Sequence, residues 1–433
     1  MVKNKFLKYS FFLVILSSIS KILALFIKIV EARSLNFDII SLISLLFPTF
    51  NILVTISLFG TPLATQILTS KCKFKEEDTL FTNIVLSVFI SFILSVIVLI
   101  ISKPYIYFVL KEKSLLKTFL SLIFILPFSS ISANIRGYLN GKSKYLVTSI
   151  SSILEYIIKL FITFFLFKHL NNLDKNISVL IVFLLNVVYE TSSILFMCLF
   201  IDKKKGLFNK KIIKCEKEIT LSFTLKELVN SFMLFIEPIL ITNLYSKEVL
   251  KKYLYMINYN TPLLLAPTFI VQSLSSLLIT SISKAKDNRC IKKITSKLII
   301  FITLFSFIYL IILSKNDVKI TYLIFKVKGP SYIKEFPFTF LLLYTECIFT
   351  IIFDAIGKTK INLFLSLISC FIRSFSLITL SLLNIGIKAY IYSLNINIII
   401  TFIIEIYFLK RSLFSQKVHN NMLKWIQVML WKY

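Results

Sequence analysis

The chain is a succession of apolar runs of about 20 residues, each long enough to cross a bilayer as a helix. Inside hydrocarbon, every backbone N–H and C=O must be satisfied within the protein, so such runs fold as helices. No polar stretch between them is long enough to bury a core of its own. A hydrophobic content of 57% agrees with this. The expected fold is an all-α integral membrane protein with twelve transmembrane helices in two pseudo-symmetric six-helix lobes.

The first six helices are placed at 9–31, 39–67, 79–102, 117–137, 145–168 and 177–201. The second six are placed at 224–245, 261–283, 298–314, 336–356, 361–384 and 389–409. The start resembles a signal peptide, but its apolar run resumes after Lys21 and reaches Val30, which makes it a first spanning helix. Residues 1–205 form the first lobe and 224–411 the second, joined by a basic cytoplasmic linker at 206–223. The tail, 412–433, is basic and too polar to span, and its two tryptophans suit the membrane surface.

The formal charge of +29 would suit nucleic acid if the lysines shared a soluble face, but most lie in short loops between apolar runs. Lys and Arg are about twice as frequent in the segments that a cytoplasmic N-terminus would place inside. Both termini are therefore expected in the cytoplasm. The six cysteines are scattered without a Cys-x-x-Cys, and there are two histidines, so neither a metal nor another cofactor is expected.

The stretch "RGYLNGKSK" (136–144) has a near copy in "DAIGKTK" (354–360), with Gly141 and Gly357 half a chain length apart. A phosphate-binding loop would need a glycine five positions before each of these, where Arg136 and Ile352 stand instead, so both copies read as turns. The echo extends further. Pro48 and Pro262 are 214 positions apart. Thr148, Ser152, Glu155 and Lys159 share one spacing with Asn362, Ser366, Ser369 and Arg373, also 214 apart, and that spacing keeps each set on one helical face. Two lobes of like orientation around a shared cavity are expected. Arg136, Gly137, Gly141, Gly357, Pro48, Pro62 and Pro262 are the candidate turn and conformational residues.

Four bases fall inside the predicted helices: Lys21, Lys28, Lys159 and Arg373. Each costs about 2.5–3.5 kcal/mol at mid-bilayer unless hydrated, paired or bound to a ligand. They are the candidate cavity bases. Ser10, Ser17, Lys21 and Lys28 follow one face of the first helix. The structural alternative is charge pairing, Glu155 with Lys159 and Lys28 with Glu31. Arg33 and Arg136 stand near helix ends, where they can reach headgroups. Glu237, followed by Pro238, is a candidate ion-coupling site or charge partner, as are Glu155 and Glu31. Asp354, Glu190 and Glu405 rank lower.

The segments "SKILALFIKIVEARSL" (20–35), "FPTFNILVTISLFGTPLA" (47–64), "IRGYLNGKSKYLVTSISSILEYIIKLF" (135–161) and "TPLLLAPTFIVQSLSSLLITSISKAK" (261–286) together resemble the stage V sporulation protein B group. That group belongs to the superfamily of multidrug, oligosaccharidyl-lipid and polysaccharide exporters. The chain departs from its pattern at Ala24 and Asn36, where glycine is usual, near Thr280, where proline is usual, and at Glu237, where aspartate is more frequent. Members commonly carry fourteen helices, and the arginine pair of dedicated lipid II flippases is absent from helix two.

The resemblance implies a V-shaped pair of lobes that alternates between inward- and outward-open states in a bacterial cytoplasmic membrane. It implies a flippase for an undecaprenyl-diphosphate-linked oligosaccharide or peptidoglycan precursor, working beside cell-wall or polysaccharide synthesis enzymes. The competing readings are a cation-coupled multidrug exporter and a non-transporting scaffold. A membrane transferase would need a clustered catalytic or metal site, so the chain is not read as an enzyme.

Overall fold

The computed structural model describes residues 2–70, 74–202, 205–283, 288–355 and 358–414. Its helices are α1 (Val2–Ser34), α2 (Phe37–Leu58), α3 (Thr61–Ser70), α4 (Glu76–Pro104), α5 (Leu116–Gly141), α6 (Tyr145–Leu170) and α7 (Lys175–Cys198) in the first half. The second half has α8 (Lys210–Leu244), α9 (Lys247–Tyr255), α10 (Thr261–Ser283), α11 (Asn288–Lys315), α12 (Asp317–Phe325), α13 (Pro337–Ala355), α14 (Thr359–Ser381) and α15 (Ile387–Phe414). Among the described residues, eight helical stretches are apolar and long enough to span, or nine if α11 and α12, bent by 89°, form one broken span. With α1, α10 and α13 they make up the twelve-span order that the apolar runs predict.

Several boundaries differ from the sequence reading. The linker expected at 206–223 is mostly helix, because α8 starts at Lys210, where Asn209 accepts a hydrogen bond from the Lys211 amide as N-cap. The span expected at 261–283 is extended at its start, and the one expected at 298–314 is longer and broken. A π-helical stretch, Met256–Asn260, joins α9 to α10, and α12 follows α11 at a right angle. The second span breaks just before the candidate conformational residue Pro62: Phe59 and Gly60 are left-handed between α2 and α3. A β-carbon at Gly60 would lie 2.6 Å from the Thr220 carbonyl oxygen of α8, so only glycine fits.

The stretch "RGYLNG" now has a physical role. A β-carbon on Gly137 would lie 2.3 Å from the Pro62 carbonyl oxygen, and one on Gly141 would lie 2.7 Å from the Thr69 side chain. One turn apart on α5, the two glycines let α3 sit directly on the α5 backbone, as small residues do between membrane helices. The turn after Gly141 is fixed by charge. Lys142 binds Glu76 at 2.6 Å and also binds Asp202, while Lys144 donates to the Phe200 carbonyl at 2.8 Å. Gly357, Cys72 and the tail 415–433 lie outside the described residues.

Buried hydroxyls are common, and most bond back to their own helix. Ser87, Ser91 and Ser95 of α4 each donate to a carbonyl three or four residues earlier. Asn134 of α5 then donates to Ser87 at 2.9 Å, binding α5 to α4 without exposing a polar group to lipid.

The halves meet where α1 ends and α2 begins. Arg33 donates to the Ile324 and Leu323 carbonyls of α12 at 2.6 and 2.8 Å. Phe37 lies against the rings of Tyr255 and Tyr259, and Ser44 donates to Asn258. The expectation that Arg33 reaches lipid headgroups therefore fails, because uncapped carbonyls at the end of α12 hold it.

Candidate functional site

Two cavities open in the first half. The deeper one, about 240 Å³, is lined by Lys28 and Glu31 of α1, Tyr156 and Lys159 of α6, and Asn186 and Tyr189 of α7. Helical spacing builds it: Lys28 and Glu31 stand one turn apart on α1, and α6 packs along α1 with Lys159 near its middle. Lys28 is exposed to this space, and the Lys159 ammonium sits 5.3 Å from the centre of the Tyr189 ring. Glu31 shares the lining with both lysines. Among the described residues neither lysine is in ion-pair contact with a carboxylate.

The larger cavity, about 450 Å³, lies toward the face where α1 begins. Its polar lining includes Gln66, Arg136, Asn140, Glu155, Glu190 and Glu227. Arg136 donates to Glu155 at 3.2 Å and to Ser193 at 3.1 Å. This corrects two expectations. Glu155 pairs with Arg136 on the neighbouring helix, not with Lys159 one turn along its own, and Arg136 turns into a cavity and not out to headgroups. Glu190, ranked low from the sequence, lines this cavity. The signal for it was the face Asn186, Tyr189, Glu190 and Ser193, polar at helical spacing along α7.

The four bases are not gathered in one place. Lys21 donates to Gln272 of α10 and so bridges the two halves. Arg373 is 4% exposed, 3.2 Å from Glu237, with its guanidinium 4.6 Å from the centre of the Tyr390 ring. Tyr253 completes the group by donating to the other Glu237 oxygen at 3.3 Å. Neither Arg373 nor Lys21 lines the two cavities. Glu237 is thus a charge partner here, closed off from either cavity. The arrangement suits an anion only in the deep cavity, where two cations lack contact partners.

Pro48 lies inside α2, while Pro62 and Pro262 are the second residues of α3 and α10. Pro62 thus stands in a first turn, where the missing N–H costs nothing, and restarts the helix after the Gly60 break, while Pro262 follows directly on the π-helical stretch Met256–Asn260 inside a continuous helix.

Residues 6–277 match the family described as polysaccharide biosynthesis protein. The chain is 24% identical over 328 residues to stage V sporulation protein B of Bacillus subtilis (strain 168); the match takes in 69% of this chain and 62% of that protein's length. The fold is similar to a multidrug resistance MATE family transporter of the MOP superfamily in its inward-facing conformation, with TM-score 0.73 and 12% identity over 93% of this chain and 96% of that one. An outward-facing structure of such a transporter gives TM-score 0.62 at 12% identity over 93% and 94% of the two chains. Seven of the twelve spans and the linings of both cavities fall within the matched residues, and the chain is a multi-pass membrane protein that belongs to the polysaccharide biosynthesis protein family, with the MATE transporter fold.

Proposed function

We propose that this protein flips an undecaprenyl-diphosphate-linked oligosaccharide or peptidoglycan precursor from the inner to the outer leaflet of a bacterial cytoplasmic membrane. The observation that carries this reading is the deep cavity, where Lys28 and Lys159 face one space without a carboxylate in contact. A diphosphate brings the negative charge that the two ammonium groups facing this cavity lack in contact, and oxygen acceptors for their donors. The glycan then occupies the larger cavity, whose carboxylates and amides match sugar hydroxyls, and the lipid tail stays in the bilayer. The face where α1 begins is cytoplasmic, in keeping with the excess of Lys and Arg there.

Alternating access does the transport. Contacts between the halves at the end of α1 close the far face, while the larger cavity, lined by α2, α3, α5 and α8, opens toward the face where α1 begins, so the headgroup enters there and leaves once the far contacts part. Direction follows from the difference in affinity between the two open states. No bond in the cargo is made or broken in this scheme.

One observation favours a second reading. The larger cavity carries Glu155, Glu190 and Glu227 against a single Arg136, an excess of acid that suits an organic cation. A leaflet-resolved assay in proteoliposomes separates the two. The flippase reading expects lipid-linked precursor to become accessible in the opposite leaflet. Export of an organic cation, with the precursor retained in its own leaflet, would reject it.

A further inference from the structure

The second half contains a polar group that neither cavity uses. Glu405 of α15 is 5% exposed, and its Oε2 atom has no hydrogen-bond partner. Glu346 of α13 faces the same side of α15, because Thr401, its hydrogen-bond donor, stands one helical turn before Glu405. Glu346 accepts a hydrogen bond from Thr401 at 2.8 Å and is partly accessible. Among the described residues neither carboxylate pairs with a base, and the one buried base of this half, Arg373, is committed to Glu237.

Packed elements also carry Lys360, Cys370 and Arg373 on α14, Tyr309 on α11 and Tyr253 on α9; Arg373 and Tyr253 are engaged with Glu237, and Tyr309 and Tyr344 donate to the Leu263 and Leu264 carbonyls. Two neighbouring carboxylates in a low-dielectric interior repel when both are charged, so close packing of α13 on α15 favours one proton on the pair. A metal cation would need several free oxygen ligands. The neighbours are already taken: Thr401 donates to Glu346, and Asn397 is doubly bonded to Ser369 of α14. A single proton satisfies the pair with no further ligand.

We propose that Glu346 and Glu405 form a proton-binding site that holds one exchangeable proton between α13 and α15. The proton comes from water, enters at the accessible Glu346 and is shared with the enclosed Glu405. When it leaves, two like charges face each other and push α13 from α15. Proton occupancy thereby biases the packing of the second half. This is an input to the transport cycle that does not depend on which cargo is carried.

Infrared titration of the full-length protein in lipid vesicles tests the proposal, comparing wild type with the Glu346→Gln/Glu405→Gln double variant. The wild type minus double-variant difference spectrum is expected to show the C=O band of a protonated, unhydrated carboxylic acid, lost reversibly as pH rises; the band of buried Glu216, common to both proteins, cancels. If the double variant fails to insert, Glu405→Gln alone should move the alkaline loss of the band to lower pH by about one unit or more, because the repelling charge is gone. The proposal is overturned by a difference spectrum without the band or by a difference band that no pH removes. Loss of the band on adding sodium at constant pH would also overturn it and make the pair a cation site.

Discussion

Lys159 and Arg373 hold equivalent places in the two halves, 214 positions apart on matching polar stripes, yet they end in opposite surroundings. Each base rests on a tyrosine ring, Tyr189 for Lys159 and Tyr390 for Arg373. Lys159 faces a cavity with another lysine. Arg373 is sealed between α8, α9 and α15 with Glu237 at 3.2 Å. One architecture thus uses the same position twice, once as an open charge available to a ligand and once as a closed pair that holds helices together. A buried charge therefore needs its contacts known before it is assigned to a site.

The largest expected effect breaks the closed pair. Arg373→Gln leaves Glu237 buried without its counter-charge and should cost about 3–5 kcal/mol. In thermal melts of the detergent-solubilised protein, the double change Arg373→Met/Glu237→Gln should recover most of that loss. Equal destabilisation by the single and double variants would show that the pair is not the contact that matters.

Next in size is the seat of α3 on α5. Gly137→Ala puts a methyl group against the Pro62 carbonyl, at 2.3 Å before relaxation. Overpacking of this kind costs about 1–3 kcal/mol. The same melts measure it, and an unchanged midpoint would mean that α3 shifts freely.

A smaller effect is confined to pH. Glu216 of α8 precedes the apolar span that starts at Glu227, is 1% exposed, and accepts one hydrogen bond, from Asn83 at 3.0 Å. Burial pushes its carboxyl up to about 7, and the Asn83 bond opposes this only in part. The fold then holds a proton that the unfolded chain has already released, so stability falls as pH rises from the ordinary carboxylate range to about 7. The slope is at most about 1.4 kcal/mol per pH unit. Glu216→Gln should flatten it in melting curves taken across that window, and a slope that survives the substitution assigns the proton elsewhere.

The smallest effect on stability is expected at the open charge. Lys159→Gln removes a cation that has no carboxylate in contact and should change the melting midpoint little, since no charge is stranded.

The apolar runs made the helical order legible in the sequence, because a bilayer leaves the backbone few alternatives. The break at Gly60 lies beside Pro62, which was legible as a conformational residue. The helical start of α8 was not, because its lysines read as loop, and the Asn209 cap with packing on Thr220 decides the outcome. In the site, Lys28 and Lys159 were legible as costly charges. The partners were not. Helical spacing put Glu155 beside Lys159, but α5 brings Arg136 within 3.2 Å of Glu155 instead, and only the tertiary packing makes that choice. Glu346 was missed altogether, because its companion Glu405 is 59 positions away on another helix.

The central claim is that the open lysines hold an anionic headgroup while the closed pair does not. Binding of undecaprenyl diphosphate to the full-length protein in nanodiscs tests it directly. The account predicts a loss of about tenfold or more in affinity for Lys28→Gln/Lys159→Gln, corresponding to roughly 1.4 kcal/mol or more, with little loss for Arg373→Met/Glu237→Gln. Equal affinity in the wild type and the double lysine variant, or a loss confined to the Arg373 variant, would contradict it.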